Sequence, residues 1–475
     1  MLETDTSHDS CRYRSGGIQS SEWKICSALG PFREIAPSLD EDVKWYRMHT
    51  KLPEDPSGDR TTAAIRLFDV GSSLRREGRY AEAAAALTDA IACWRTILQS
   101  STLASVRRNL FASLHMLAIV RVEQGNLEVA DTLIAEAVIG LSELHAATPV
   151  VDISRELGGA LREHAMIMRG RGNCDISVEL LNRAADQARA IYAVDSSASH
   201  LRELVRCLYE LAVSLDCVSA VDKALLAFQE SLVNARELLI VENTASAHHL
   251  LAKSLHGIGL AYQALGRYEL AALAIEEALS HLEALFGAAR SNENRKHLST
   301  SLHALGRIRR LSGEADSSLP LLARAVAYFR ETLQEEPGSL SVRRHLSLCL
   351  FDLGAAKTAV GSHVEAIPLL EESVALARSA YGETGLQADG GTLIRASILL
   401  GSAQGAIGDY DAAKRTAVDA LARAREMQQA DRSAGSTELV AASLRLLALV
   451  RKGQNDVSEA EALMAEANRL RVRSD

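Results

Sequence analysis

The sequence is short of aromatic residues and of proline. Its 475 residues include 3 Trp, 10 Tyr and 7 Phe, with 8 Pro, where average usage would give proline a share of ~5%. Sandwiches and barrels draw on aromatic and β-branched residues, so this lack, beside abundant Ala and Leu, points to helices. A basic surplus is missing too: 52 Lys and Arg stand against 61 Asp and Glu, a net charge of −9. That excludes a surface that embraces nucleic acid all round but leaves room for a local basic patch. No apolar run approaches the ~18 residues that a membrane span needs. The opening Met-Leu-Glu-Thr-Asp-Thr is acidic where a signal or transit peptide is basic and then apolar. The seven Cys are odd in number, scattered and without a Cys-x-x-Cys pair, which reads as reduced thiols in a cytoplasmic protein rather than a disulfide framework. Length alone would suggest about three domains at ~150 residues each.

What is present replaces that estimate. A small residue recurs at Ala83, Ala130, Ser177, Ala224, Ala271, Ser318, Ala366, Ala413 and Ala460, at steps of 47 residues except one of 48. Other columns keep the register. Five residues earlier stand Gly78, Gly125, Gly172, Ser219, Gly266, Gly313, Gly361, Gly408 and Asn455, residues suited to a left-handed turn between two helices. Seven before those are Gly71, Ala118, Ala165, Ala212, Gly259, Gly306, Gly354, Gly401 and Ala448, small enough to let a second backbone come close. A further small column follows the first, from Ala90 and Ala137 to Ala420 and Ala467. Apolar residues at helical spacing complete the first helix, as in Leu110, Leu114 and Leu117 or Leu204, Leu208 and Leu211. Each of nine units is therefore expected to be a helix, a tight turn and a second helix, neither able to bury its stripe alone.

The order Gly259, Gly266, Ala271, Ile275, Ala278 resembles the tetratricopeptide repeat, and the resemblance runs from Ala63 to Asp475. The usual period is ~34 residues, so the surplus is expected in longer helices, as in the long-period variant similar to kinesin light chains. The resemblance implies an all-α, right-handed α-solenoid of antiparallel helix pairs over residues 61–475. Residues 1–37 read as an irregular or disordered leader. For 38–60, which hold Asp42-Val43-Lys44-Trp45-Tyr46-Arg47, a remnant repeat serving as an N-terminal cap and an ordinary leader both stay open. No polar capping helix follows the ninth unit, so either the charges of its last helix suffice or that end docks, which admits end-to-end self-association.

Chemistry is not evident. The histidines include His248-His249 and a row at His115, His256 and His303, but no His-Glu-x-x-His and no Cys/His cluster has metal spacing. His256 and His303 are expected within ~10 Å on adjacent first helices, yet no third ligand aligns, and no metal or cofactor is assigned. His164 reads as a half-buried imidazole with a backbone partner. Glu276-Glu277 and Glu371-Glu372 read as a solvated outer face rather than an acid/base pair. A phosphate loop, a nucleophile elbow and a caspase-like signature are all missing from the sequence, and the chain reads as a non-enzymatic protein.

The resemblance implies a concave groove lined by first helices. Its ligand positions here are Arg162 and Arg169, Arg206 and Tyr209, Lys253 and His256, and His303, Arg307 and Arg310. Such a stripe favours an acidic or phosphorylated peptide held by charge-assisted hydrogen bonds. The competing reading, that Glu163, Glu210 and Asp216 pair with these cations internally, stays open. Asn is missing from the positions of a carboxylate clamp, which disfavours a chaperone-tail receptor. A second basic column, Arg108, Arg155, Arg202, His249, Lys296 and Arg344, lies near the starts of first helices, where the macrodipole disfavours cations. These are expected to pair with groups of the preceding unit. The expected function is a protein-interaction scaffold or adaptor with a protein or peptide partner. The rivals are a regulatory or sensor fragment of a larger signalling protein, of nucleotide-switch or caspase-like protease type, and a nucleic-acid-binding solenoid, which the few groove aromatics disfavour.

Overall fold

A computed structural model describes residues 58–431 and 433–472. The leader at 1–37 and nearly all of the 38–60 segment thus lie outside the described residues. The described chain divides into two compact units, one ending at Asn243 and the other starting at Thr244. The first holds α1 (Gly58–Arg76), α2 (Tyr80–Leu98), α3 (Ala104–Glu123), α4 (Leu127–Ala147), α5 (Val151–Gly170), α6 (Cys174–Val194), α7 (Ala198–Cys217) and α8 (Val221–Val241). The second holds α9 (Ala245–Ala264), α10 (Tyr268–Ala288), α11 (Asn292–Leu311), α12 (Ala315–Glu335), α13 (Leu340–Ala359), α14 (His363–Thr384), α15 (Gln387–Ala406), α16 (Tyr410–Ala430), α17 (Ala434–Gly453) and α18 (Val457–Val472). Among the described residues there is no strand, and no helix is long and apolar enough to cross a membrane.

The sequence columns have the roles expected of them. Every pair is joined by a three-residue turn whose middle residue has positive φ, including the two non-glycines Ser219 (φ 60°) and Asn455 (φ 63°). The turns close as Schellman motifs: Gly266 N–H donates to the Gln263 carbonyl at 3.0 Å and Arg267 N–H to the Tyr262 carbonyl at 2.9 Å. The small columns are where the helices meet. Ala130, Ser177, Ala224 and Ala271 are fully buried, as are Ala90, Ala137, Ala184 and Ser231. A Cβ added at Gly259 would come within 2.5 Å of the Ile275 side chain, and one at Gly306 within 2.6 Å of Leu322. Leu110, Leu114 and Leu117 are buried beneath them. The surplus over the ordinary repeat lies in the helices, which reach 20 residues in α9 and 21 in α10.

Within each unit successive first helices also touch: α1 with α3, α3 with α5, α5 with α7, and α9 with α11 onward to α17. The first helices are therefore the closely spaced layer of each stack, and the side chains discussed next project from it.

One expectation needs correcting. Cys93, Cys207 and Cys349 are buried free thiols, but Cys174 and Cys217 are disulfide-bonded with Cα atoms 6.2 Å apart. Cys174 opens α6 and Cys217 closes α7; these are antiparallel neighbours, so the start of one lies beside the end of the other. The cysteines no longer argue for a reducing compartment.

Candidate functional site

The expected groove residues fall into two groups, one in each unit. In the first unit Arg162 and Arg169 project from α5, and Arg206 and Tyr209 from α7. Arg162 donates through Nε to Glu203 at 2.8 Å and contacts Glu163 at 3.0 Å. Burial disfavours the Arg162 cation, but the Glu203 and Glu163 carboxylates outweigh it and hold its pKa well above the ordinary value. Burial likewise raises Glu203, yet Arg162 and Arg206 win and leave its carboxyl below the usual range. Glu163 goes the other way, raised by burial against the pull of Arg162. Arg206 lies 3.7 Å from Glu203. Arg169 donates to Glu210 at 2.6 Å and to the Ser214 hydroxyl at 3.0 Å. The Tyr209 ring stands 5.6 Å from that of Phe228. Three guanidinium groups thus face three carboxylates, Glu163, Glu203 and Glu210.

The second unit is less balanced. Lys253 and His256 lie on α9, and His303, Arg307 and Arg310 on α11. His256 Nδ1 lies 3.0 Å from the Ser301 hydroxyl. Burial, with Arg307, His303 and His345 nearby, pushes the His256 imidazole down to about 4, so it is neutral at pH 7. His303 is buried and meets Asp352 through Nε2 at 2.7 Å, while Arg310 donates to the other oxygen of Asp352 at 2.6 Å. These contacts overcome burial and hold the Asp352 carboxyl well below the usual range. Burial outweighs the same partner at His303, whose pKa falls. Arg307 donates to the Gln263 amide oxygen at 3.2 Å. Among the described residues, no carboxylate lies within ion-pair distance of it.

Sequence reasoning missed a regularity in these pairs. Arg162 to Glu203 and Arg169 to Glu210 both span 41 residues. So do Arg95 to Glu136, Arg189 to Glu230 and Arg425 to Glu466 on the second helices. An Arg therefore meets the carboxylate that stands six places earlier in the next repeat, and a scan at that offset would have found them. Of the acidic pairs read as a solvated face, Glu276 takes Arg309 at 2.6 Å and Glu372 takes Arg330.

Members of the early basic column pair forward rather than with the preceding unit, apart from Arg155, which meets Asp152 on its own helix. Arg108 meets Glu156 at 2.6 Å, Lys296 meets Glu336 at 2.7 Å, and Arg344 holds Asp389 through two bonds of 2.8 and 2.6 Å. Arg202 meets Glu242. The reason is geometric: the start of a first helix lies beside the segment that leads into the next repeat. His164 also differs from expectation, since its partner is the Asp131 carboxylate at 2.9 Å and not a backbone group.

One group combines histidines that the sequence reading had left apart. His249, Glu293 and His297 bring their ligand atoms within 4.8 Å of one another, with the two rings edge to face at 4.2 Å. Beside them, His248 and His281 are 2.9 Å apart through Nδ1. Of these, His248 and His249 are the two singled out in the sequence; Glu293 and His297 stand one helical turn apart, a spacing common to any helix.

Residues 252–280 match the tetratricopeptide repeat model. No curated protein matches the chain. Among solved structures, it is similar to the nearly identical TPR-like repeats of a Podosopora anserina protein described as a kinesin light chain, at 23% identity over 47% of this chain and 95% of that one, TM-score 0.36. It is also similar to the apo form of RapI, at 15% identity over 67% and 99%, TM-score 0.46. A third similarity is to a signal-transduction ATPase with a tetratricopeptide repeat sensor from Pyrococcus horikoshii, at 13% identity over 82% of this chain and 52% of that one, TM-score 0.47. Residues 252–280 are thus a tetratricopeptide repeat, and the other described helix pairs repeat its helix–turn–helix pattern in the same turn and small-residue columns.

Proposed function

We propose that this protein is a non-enzymatic scaffold or adaptor that takes an extended segment of a partner protein on its first-helix face. The point of selection is the basic cluster of the second unit, and the favoured segment is acidic or phosphorylated. The supporting observation is the charge balance. In the first unit Arg162, Arg169 and Arg206 are set against Glu163, Glu203 and Glu210, which leaves no surplus for a ligand. In the second, Arg307 and Arg310 share the face with the buried Asp352, whose oxygens already serve His303 and Arg310. Arg307 holds a neutral amide. A guanidinium bonded to an amide has no opposite charge facing it, so exchanging that partner for a carboxylate or phosphate adds a charge–charge attraction to the hydrogen bond.

The test is an array of acidic, phosphoserine-containing, neutral and basic peptides, followed by fluorescence anisotropy on the peptides retained. Arg307→Glu is expected to weaken the acidic and phosphorylated peptides at least tenfold, and Arg206→Glu to change them little. Retention of basic or neutral peptides in preference, or indifference to Arg307→Glu, refutes the assignment.

A further inference from the structure

We propose that His249, Glu293 and His297 form a binding site for a late first-row divalent cation, Zn2+ in the first place, which clamps α9 to α11. His249 lies at the start of α9, and Glu293 and His297 lie on the first two turns of α11, one helical turn apart. Their ligand atoms are within 4.8 Å of one another, with His297 Nε2 4.0 Å from Glu293 Oε1. Ligands on tetrahedral Zn2+, with bonds of ~2.0–2.1 Å, stand about 3.4 Å apart. Rotation of the exposed Glu293 and of the His297 ring closes that difference, while α9 and α11, already in contact, stay in place.

The repeat register supplies a second argument. His249 belongs to the column that in other repeats is an Arg or Lys held by a carboxylate. Arg108 reaches Glu156, 48 residues on, at 2.6 Å. The residue 48 places after His249 is His297. Where that cross-repeat contact joins opposite charges, this one sets two imidazoles edge to face at 4.2 Å. A divalent ion restores an attractive link between them, with Glu293 offsetting part of its charge against Lys253, one turn along α9.

Two imidazoles and one carboxylate suit Zn2+, Co2+, Ni2+ or Cu2+ and not the oxygen-seeking Mg2+ or Ca2+. Three protein ligands leave at least one position for water.

The full chain, stripped with a chelator, is titrated calorimetrically with ZnCl2, and separately with CoCl2 while its visible spectrum is followed. The expected result is one ion per chain with micromolar or tighter affinity. His249→Ala and His297→Ala each weaken it tenfold or more, Glu293→Gln weakens it several-fold, and His248→Ala leaves it within twofold. Mg2+ and Ca2+ at millimolar concentration give no saturable heat. Absence of a one-to-one Zn2+ isotherm overturns the proposal. So does equal affinity in the His249→Ala, His297→Ala double variant, or loss in His248→Ala alone. If an alanine chain loses its helical circular dichroism, the Co2+ spectrum of the unsubstituted protein decides. Bands of nitrogen- and oxygen-ligated Co2+ at one equivalent support the site; a featureless titration, or a sulfur-to-cobalt charge-transfer band, overturns it.

Discussion

Acid should loosen this protein through histidines that are buried neutral, and His115 on α3 is the cleanest case. Burial, with the Arg162 guanidinium nearby, pushes its imidazole down to about 4, and its Nε2 is buried with no hydrogen-bond partner among the described residues. In the unfolded chain the same group titrates near ~6.5. Between those values the unfolded state binds the extra proton, so stability is fully present above about pH 6.5 and is lost as the pH falls toward 4. At pH 5 the loss is about 2 kcal/mol, a factor of roughly 30 in the opening equilibrium.

Repeat arrays open locally, so a global melt would blur this. Hydrogen exchange of peptides from residues 104–123, in the regime where exchange reports the opening equilibrium, is the suitable assay. Corrected for intrinsic chemistry, protection in α3 is expected to fall by a factor of roughly 30 more between pH 8 and pH 5 in the parent than in His115→Leu. Glu163, whose carboxyl burial raises, contributes with the opposite sign but is present in both chains and cancels. If the two chains lose protection in parallel, the buried neutral imidazole is wrong.

Three further outcomes follow from the packing. Gly259→Ala drives a methyl to within 2.5 Å of Ile275 and 3.2 Å of the Ala271 carbonyl, an overpacking cost of ~1–3 kcal/mol that exceeds the ~0.5–1 kcal/mol gained by replacing a helical glycine; a lower melting temperature is expected, and an unchanged or higher one refutes the close approach. Gly266→Ala meets nothing within 4 Å, but its φ of +71° costs ~1–2 kcal/mol, and Gly266→Asn should recover part of that in the same melt. Asp389→Ala strips the buried Arg344 of both hydrogen bonds, at a cost of ~3–5 kcal/mol, whereas Arg425→Ala on the exposed outer face costs under ~1 kcal/mol. Equal urea midpoints for those two variants would contradict the burial difference on which the contrast rests.

The fold was legible because its determinants are one residue deep. A left-handed turn needs Gly, Asn or Ser at one position, a helix contact needs a small residue at another, and nine copies make each column visible without any knowledge of neighbours. Ser219 and Asn455 show how far this goes: both were placed in the turn column by register alone, and both have positive φ. The disulfide is the opposite case. Cys174 and Cys217 occur in one copy, 43 residues apart, with no column to announce that the start of α6 faces the end of α7. The cluster at His249 failed to show for a similar reason, since its members come from two helices and only one pair shares a helix face.

The groove charges are an intermediate case. The sequence named the cations but could not say which were neutralised, because that depends on the offset between facing side chains on successive repeats. The 41-residue offset accounts for two of them, while Arg206 lies near Glu203 of its own helix. Arg162 and Arg169 find Glu203 and Glu210 at that offset. Where the register lengthens by one between Ser318 and Ala366, Arg310 finds Asp352 at 42. The same step from Arg307 arrives at Cys349, a buried thiol whose pKa burial holds well above the ordinary value and which therefore carries no charge to offer. Among the described residues Arg307 is the groove arginine of the second unit with no carboxylate at ion-pair distance, and an acidic ligand would supply one. The ladder that pairs Arg162 and Arg169 in the first unit thus identifies the residue whose reversal should matter most to binding.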